Sequence, residues 1–374
     1  MIRNDGRKAE AKSVPILEVA HRLGIGGLRP SGVERVGACP VCGSGGKRHT
    51  DRFAINPARG VFVCRKCSAG GDGIALVEFV LGCDFKGALD YIAGKALPDM
   101  DPAELARRKA KAEVEEKRRR DYEAKARARA IRDAREIWHA AAPGEGTAAE
   151  EYLAARGVRF PTWPPTLRFL ADHPFTKLID RRLVELHRGG CMIAAIQDAK
   201  GKVTAVHQTW LDPVRLGKKA QITLPDGSPA PSKMVRGSKK GGAIRLTPLG
   251  TAGVLIMGEG IETTASAIAA GIKPAAAFWA GVDLGNMAGR QVRPRNSGNP
   301  DLDDLAAWMP PEGITQLVFI QDGDSDPKST RAKLLSGIRR ASAHRPGLRG
   351  WIVKAAEGRD LNDMRMEQIK NVRD

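Results

Sequence analysis

The chain has 374 residues, 42% of them hydrophobic and 28% charged, enough for two or three domains that each bury a core. Its formal charge of +18 points to polyanionic partners, nucleic acid first and an acidic membrane surface second. The polar start MIRNDGRKAEAK is no signal peptide and no segment is long enough to span a bilayer, so a cytoplasmic protein without a membrane association is expected.

In chain order, VPILEVAHRLGIGGL (14–28) has helical apolar spacing and ends on glycines. A glycine-rich stretch with cysteines follows to about residue 72, and GIALVEFVLGCDFKGALDYIAG then predicts one or two short helices. Six cysteines in a cytosolic chain do not read as a disulfide framework. Cys39/Cys42 and Cys64/Cys67 form two Cys-x-x-Cys knuckles with 21 residues between them, the pattern of a four-thiolate zinc site. Four sulfurs leave no position for water, so the Zn2+ would be structural. His49 is a rival ligand that the four sulfurs make unnecessary. Cys83 and Cys191 are expected as small buried hydrophobes.

From Asp101 to about residue 141 a helix is predicted, with Asp101 as N-cap, Pro102 at the first position and Glu104 completing a capping box. Its apolar residues are too sparse for a core-facing stripe, so it reads as a solvated charged strut rather than a nucleic-acid contact. Pro143 and Gly144 end it. Between 145 and 250 short β-like runs (CMIAAIQD, KVTAVHQTWL, AIRL) alternate with turn signals, which predicts a small α+β subdomain. The last part alternates strand and helix through GVLIMGEG, IETTASAIAAG, AAAFWAGV, TQLVFIQD, a helix from about 328, and GWIVKA. That alternation predicts an α/β unit with a parallel sheet.

In such a sheet ligands sit at the carboxyl ends of the strands. Glu259 stands at one end, Asp322 and Asp324 at a second, and Asp360 of GRDLND at a third. Residues i and i+2 of an extended segment project to one side, so Asp322 and Asp324 can reach one cation, with Gly323 letting the backbone bend. Oxygen ligands from three separate segments suit Mg2+. Asp326, directly before Pro327, reads as a helix N-cap in preference to a metal ligand. Glu262, on the helix after Glu259, reads as structural.

DRFAIN (51–56), VFVCRKC (61–67) and the helical stretch from 71 to 95 together resemble the zinc-binding domain of DNA primases. Cys42 stands where that family usually has histidine. The resemblance implies contact with single-stranded DNA, for which Arg52, Arg65 and Lys66 are candidates together with Lys47 and Arg48. Phe53 and Phe62 either stack on bases or fill the small core. GEGIETTASA, DGD and GRDLND resemble the Toprim fold of bacterial-type primases, type IA and II topoisomerases and some nucleases. This implies Glu259, Asp322 and Asp324 as catalytic acids, Asp360 as a further ligand, and Mg2+ or Mn2+ as the metal. Asn362 occupies a place where many primases carry a carboxylate. GTAAEEYLAARGV, LRFL and PSKMVRGSKKGGAIRL resemble the preceding subdomain of phage and plasmid primases. There Lys233, Arg236 and Arg245 would face nucleotide or template phosphates, with His207, Lys239 and Lys240 as secondary candidates.

The expected organisation is a zinc ribbon of antiparallel strands with helices (1–97), a charged linker helix (98–141), a basic α+β subdomain (142–250) and a Toprim domain with a mainly parallel four-stranded sheet (251–374). The implied activity is a DNA primase making RNA primers from NTPs, with a separate helicase as partner because no Gly-x-x-x-x-Gly-Lys-Ser/Thr loop is present. Two other readings are a different Toprim enzyme and a zinc protein that only binds DNA. A topoisomerase would need a nucleophile from Tyr91, Tyr122 or Tyr152, all in poor settings. The strand-end acids weigh against pure binding.

Overall fold

The computed structural model describes residues 4–43, 52–94, 102–273, 275–292, 297–323, 326–356 and 358–371. The chain divides into two compact units, residues 1–124 and 125–374. Lys47, Arg48, His49, Asp101 and Asp324 lie outside the described residues.

In the first unit α1 (Asn4–Ser13) and α2 (Ile16–Arg22) precede an antiparallel sheet in chain order: β1 (Arg29–Ser31), β2 (Glu34–Gly37), β3 (Phe53–Asn56), β4 (Val61–Cys64) and β5 (Ala69–Gly71). The two short helices expected after it are α3 (Gly73–Leu81) and α4 (Phe85–Ile92). Asp72 starts α3 by accepting from the Ile74 and Ala75 amides, and Gly82 ends it at φ 70°, where a side chain would be strained. Asp84 caps α4 through the Gly87 amide. Phe53, Ile55, Phe62, Leu76 and Val77 fill the core between sheet and helices. Each side chain of this size contributes about 1.5–3 kcal/mol on burial.

The charged helix is α5 (Pro102–Ala140). The expectation that it carries no core-facing stripe fails at its end. Ala134 and Trp138 are buried and Ile137 packs beside them, a stripe at helical spacing against Cys191, Ile193, Val206 and Trp210. Three residues within two turns were too few to stand out against the charges before them.

The second unit continues with β6 (Ala142–Pro143), α6 (Ala148–Ala155), β7 (Leu167–Ile179), β8 (Arg182–Gln197), β9 (Val203–Trp210), β10 (Ile222–Thr223), β11 (Pro229–Ala230), β12 (Lys233–Gly237) and β13 (Ile244–Arg245). One antiparallel sheet runs β12-β9-β8-β7-β6, and β10 and β11 form a small hairpin. β7 and β8 are 13 and 16 residues long, far longer than the LRFL and CMIAAIQD runs. Past Cys191 the pair extends beyond β9, turning at Asp180 and Arg181, whose φ of 47° and 63° match a tight hairpin turn. The missed half lacks apolar alternation because much of it is exposed.

The strand–helix alternation folds as expected into β14 (Val254–Gly258), α7 (Ile261–Ala269), β15 (Ala277–Ala280), α8 (Leu284–Ala288), β16 (Gln316–Gln321), α9 (Pro327–His344), β17 (Arg349–Lys354) and α10 (Leu361–Asn371). The sheet order is β13-β15-β14-β16-β17. Its four last strands are parallel, and β13 adds an antiparallel fifth. The sheet therefore has five strands rather than four, and the extra one comes from before residue 250. Leu255, Met257, Leu317, Phe319 and Leu334 are its core between sheet and α9. Among the described residues no helix is long and apolar enough to cross a membrane.

Candidate functional site

The four knuckle sulfurs lie within 4.8 Å of one another. Cys39 Sγ is 4.0 Å from Cys67 Sγ, and Cys42 Sγ is 3.9 Å from Cys64 Sγ. A tetrahedron with Zn–S bonds of about 2.3 Å has edges of about 3.8 Å, which these two distances approach, so the four thiols suit Zn2+. Each knuckle is shaped by its own backbone: the Cys42 amide points at Cys39 Sγ (3.5 Å) and the Cys67 amide at Cys64 Sγ (3.4 Å). The two halves are brought together by the sheet, since Phe53 pairs with Cys64 and with Gly37. Cys191 is buried as expected, whereas Cys83 is half-buried at the core's edge.

Beyond the Phe53–Cys64 pair the Arg65 amide donates to the Arg52 carbonyl at 2.9 Å, which sets the two arginines side by side next to a knuckle. Arg65 is exposed; Arg52 and Lys66 are half-buried. Phe53 and Phe62 are 0% and 3% exposed. Their rings pack on each other, and Phe62 stacks on Phe79, so they are core and not a stacking platform.

The acidic residues are assembled differently. β14 and β16 are neighbours in parallel register, Met257 opposite Phe319, so Glu259 and Asp322 leave the same edge of the sheet from adjacent strands. Thr263, in the first turn of α7, donates its hydroxyl toward both oxygens of Asp322, at 3.1 and 3.3 Å. Gly323 is packed tightly on the loop after β17. A Cβ there would sit 2.0 Å from the Ala356 carbonyl oxygen. Its amide donates to Arg359 O at 2.8 Å, and its carbonyl accepts from the Gly358 amide at 2.9 Å. Glycine is needed here for close backbone approach, not only for a bend. That approach brings the loop bearing Asp360 up to the end of β16.

Asp360 itself accepts from the Asp363 amide at 2.7 Å, and its own amide faces the Asp363 carboxylate, so it begins α10 as an N-cap. Among the described residues the four cysteines are the one set of three or more such ligand atoms within 4.8 Å of one another; Glu259, Asp322 and Asp360 do not close to that spacing. Asp326 caps α9 through the Ser329 amide at 2.7 Å with Pro327 at the first position, as its sequence setting implied. Asn362 is 1% exposed and bonds Arg156 O and Ser266 Oγ, a structural tie between α6 and α7.

Burial pushes the Glu259 carboxyl above its usual range and the nearby Asp283 adds to this, while the Leu284 amide, Lys233 and Lys333 oppose it. Burial also favours the neutral form of Glu262. The charges of Lys219 and Lys233 outweigh it, and Glu262 is held well below the usual range. His207 is pushed down to about 4 by burial, helped by Lys233, Lys219 and Lys239. It is therefore a neutral imidazole near pH 7.

The basic candidates separate. In the β9–β12 pairing Lys233 lies opposite Thr209 and Val235 opposite His207, so Lys233 and His207 share one face of the sheet. Val235, on that face, packs against the apolar cluster that includes Ile261 and Ala265 of α7. Arg236 is on the other face, bonded to Thr176 Oγ1 at 3.1 Å. Arg245 is spent on the β8–β9 turn: it donates to Asp198 O at 2.7 Å and lies 4.5 Å over the Trp279 ring. Lys239 and Lys240 are not a free basic loop, since they pair with Asp283 (2.6 Å) and Asp304 (2.9 Å). Tyr152 is 2% exposed and donates to Glu262, and burial raises its pKa further, which removes it as a nucleophile.

Three contributors went unseen in the sequence, Thr263, Asp283 and Lys219, and Tyr152 was weighed only as a nucleophile. Asp283, directly before a short helix, caps α8 through the Asn286 amide. Nothing local marks Lys219 or Tyr152.

A family model for a domain of unknown function, DUF7146, matches residues 128–246. No curated protein matches. Among solved structures, the zinc-binding and RNA polymerase domains of the Aquifex aeolicus primase are 16% identical over 98% of this chain and 84% of that one, with a TM-score of 0.34. A DNA primase domain from Pseudomonas aeruginosa is 11% identical over 65% and 77%, with a TM-score of 0.37. The primase fragment of the bacteriophage T7 primase-helicase is 10% identical over 90% and 95%, with a TM-score of 0.30. At such low similarity the site has to be read from this chain's own residues.

Proposed function

We propose that the chain is a DNA primase of phage or plasmid type that starts RNA chains on single-stranded DNA. The observation that carries this is the placing of Glu259 and Asp322 at adjacent parallel strand ends, with the Lys233 charge acting on Glu259, in a chain that also holds a four-thiolate module. A pure DNA-binding protein gains nothing from partly buried acids.

The donor set at the strand ends is all oxygen, which suits Mg2+ or Mn2+ rather than zinc. Glu259 and Asp322 would hold it, with Asp324 and Asp360 as the further acids that the Toprim resemblance implies. When bound, the ion neutralises triphosphate charge. Lys233 attracts the phosphates from the facing sheet. A 3′-hydroxyl placed in line attacks the α-phosphate and pyrophosphate leaves. Glu259 is assigned to the ion rather than to the hydroxyl proton, which passes to solvent water. Arg52, Arg65 and Lys66 hold template phosphates at the thiolate module, and unwinding falls to a separate helicase.

Incubation with single-stranded DNA, NTPs and Mg2+ should give short labelled products, and Asp322→Ala with Asp324→Ala should abolish them while DNA binding survives. Undiminished synthesis by that double variant rejects the assignment. DNA affinity should fall steeply with salt because phosphate contacts release counterions.

A further inference from the structure

Glu262 is 8% exposed, and one of its carboxylate oxygens takes both the Tyr152 hydroxyl (2.8 Å) and the Lys219 ammonium (2.7 Å). Neither partner belongs to the acidic elements. Tyr152 is on α6, and Lys219 lies between β9 and β10. Glu262 directly precedes Thr263, whose hydroxyl meets Asp322, and follows Glu259 by three residues. The first turn of α7 thus joins the clamp to Asp322 through Thr263, and Glu259 stands two residues before it.

Three apolar side chains of similar volume would hold α6 against α7 without any buried charge, and buried ion pairs are weak contributors to stability. What an ion pair and a hydroxyl on one carboxylate oxygen add is a fixed position. We propose that Glu262 is a positioning residue: clamped by Tyr152 and Lys219, it fixes the turn that presents Thr263 to Asp322 and so sets the geometry of the metal site. The proposal rests on reading Glu259 and Asp322 as ligands of a divalent cation.

The test is Mn2+ titration of the full, zinc-loaded chain, with free Mn2+ followed by electron paramagnetic resonance. Glu262→Gln should weaken Mn2+ binding about tenfold, the low end of the loss seen when an outer-shell partner of a metal site is removed. Tyr152→Phe removes one hydroxyl and should weaken it about threefold, whereas Lys219→Arg stays near wild type. Zinc content and single-stranded DNA affinity should not change in any of them. Wild-type Mn2+ affinity in both Glu262→Gln and Tyr152→Phe, even with a lowered Tm, overturns the proposal alone. If Glu262→Gln does not fold, Tyr152→Phe decides. Failure of the wild-type chain to bind Mn2+ overturns the metal reading and the proposal together.

Discussion

The two candidate metal sites of this chain are built on opposite plans. The cysteine site is closed: two short knuckles supply all four ligands, their own amides shape them, and the sulfurs already stand at tetrahedral spacing. The acidic site is open and held from outside. Thr263 steadies Asp322, Gly323 binds the loop after β17, and the Leu284 amide meets Glu259. A closed thiolate site contributes to folding, while an open oxygen site keeps positions for substrate and needs support from neighbours. Damage to the first should therefore appear as unfolding, and damage to the second as lost binding or chemistry.

The largest effect expected is from zinc removal. Structural zinc is worth about 10–16 kcal/mol of folding in small modules. Chelation, or Cys39→Ser with Cys64→Ser, should abolish amide-exchange protection across residues 53–92 and leave protection of β14 and β16 intact. Protection persisting in the first unit without zinc would break the contrast.

Next is Gly323→Ala. Its Cβ would collide with the Ala356 carbonyl, so about 3 kcal/mol of stability should be lost, read as a lower Tm of the second unit, with synthesis falling further than folding accounts for. A variant of wild-type Tm and activity would show that this close approach is dispensable.

A pH effect of similar size follows from His207. Its native pKa of about 4 is below the usual 6.5, so between those values the unfolded chain binds a proton that the native chain does not. Stability from this group is present above about pH 6.5 and is lost as pH falls toward 4, about 3 kcal/mol in total. Glu259, with its raised pKa, acts in the opposite direction, so the check is the difference between wild type and His207→Gln in urea unfolding at pH 7 and pH 5. An equal loss in both proteins would remove His207 as the cause.

The smallest effect separates the basic residues. Lys233→Ala should weaken nucleotide binding by about 1–2 kcal/mol without a change in Tm. Arg236→Ala, on the far face, should leave it unchanged. Arg245→Ala should lower Tm instead, because it removes bonds to the Asp198 turn and the contact with Trp279. Equal loss of binding in all three variants would mean that the sheet faces do not decide the contact.

The parallel sheet, the knuckles and the cap of α9 were legible because each is written within a few residues: strand-length apolar runs, Cys-x-x-Cys, Asp before Pro. The outer half of the β7–β8 hairpin was not, since exposed strands carry no burial pattern. Phe53 and Phe62 left stacking and packing open until their burial was known.

From sequence alone came the ligand chemistry: which residues are thiolates, which acids stand at strand ends, and the basic charge that calls for a polyanion. Only the tertiary structure decided which of these groups meet. Lys233 faces α7 while Arg236 faces away, Arg245 is consumed by a turn, and Glu262 is gripped by Tyr152 from 110 residues earlier. Local motifs record backbone geometry over a few bonds, whereas side-chain partnership across a sheet depends on register and packing that distant segments set jointly.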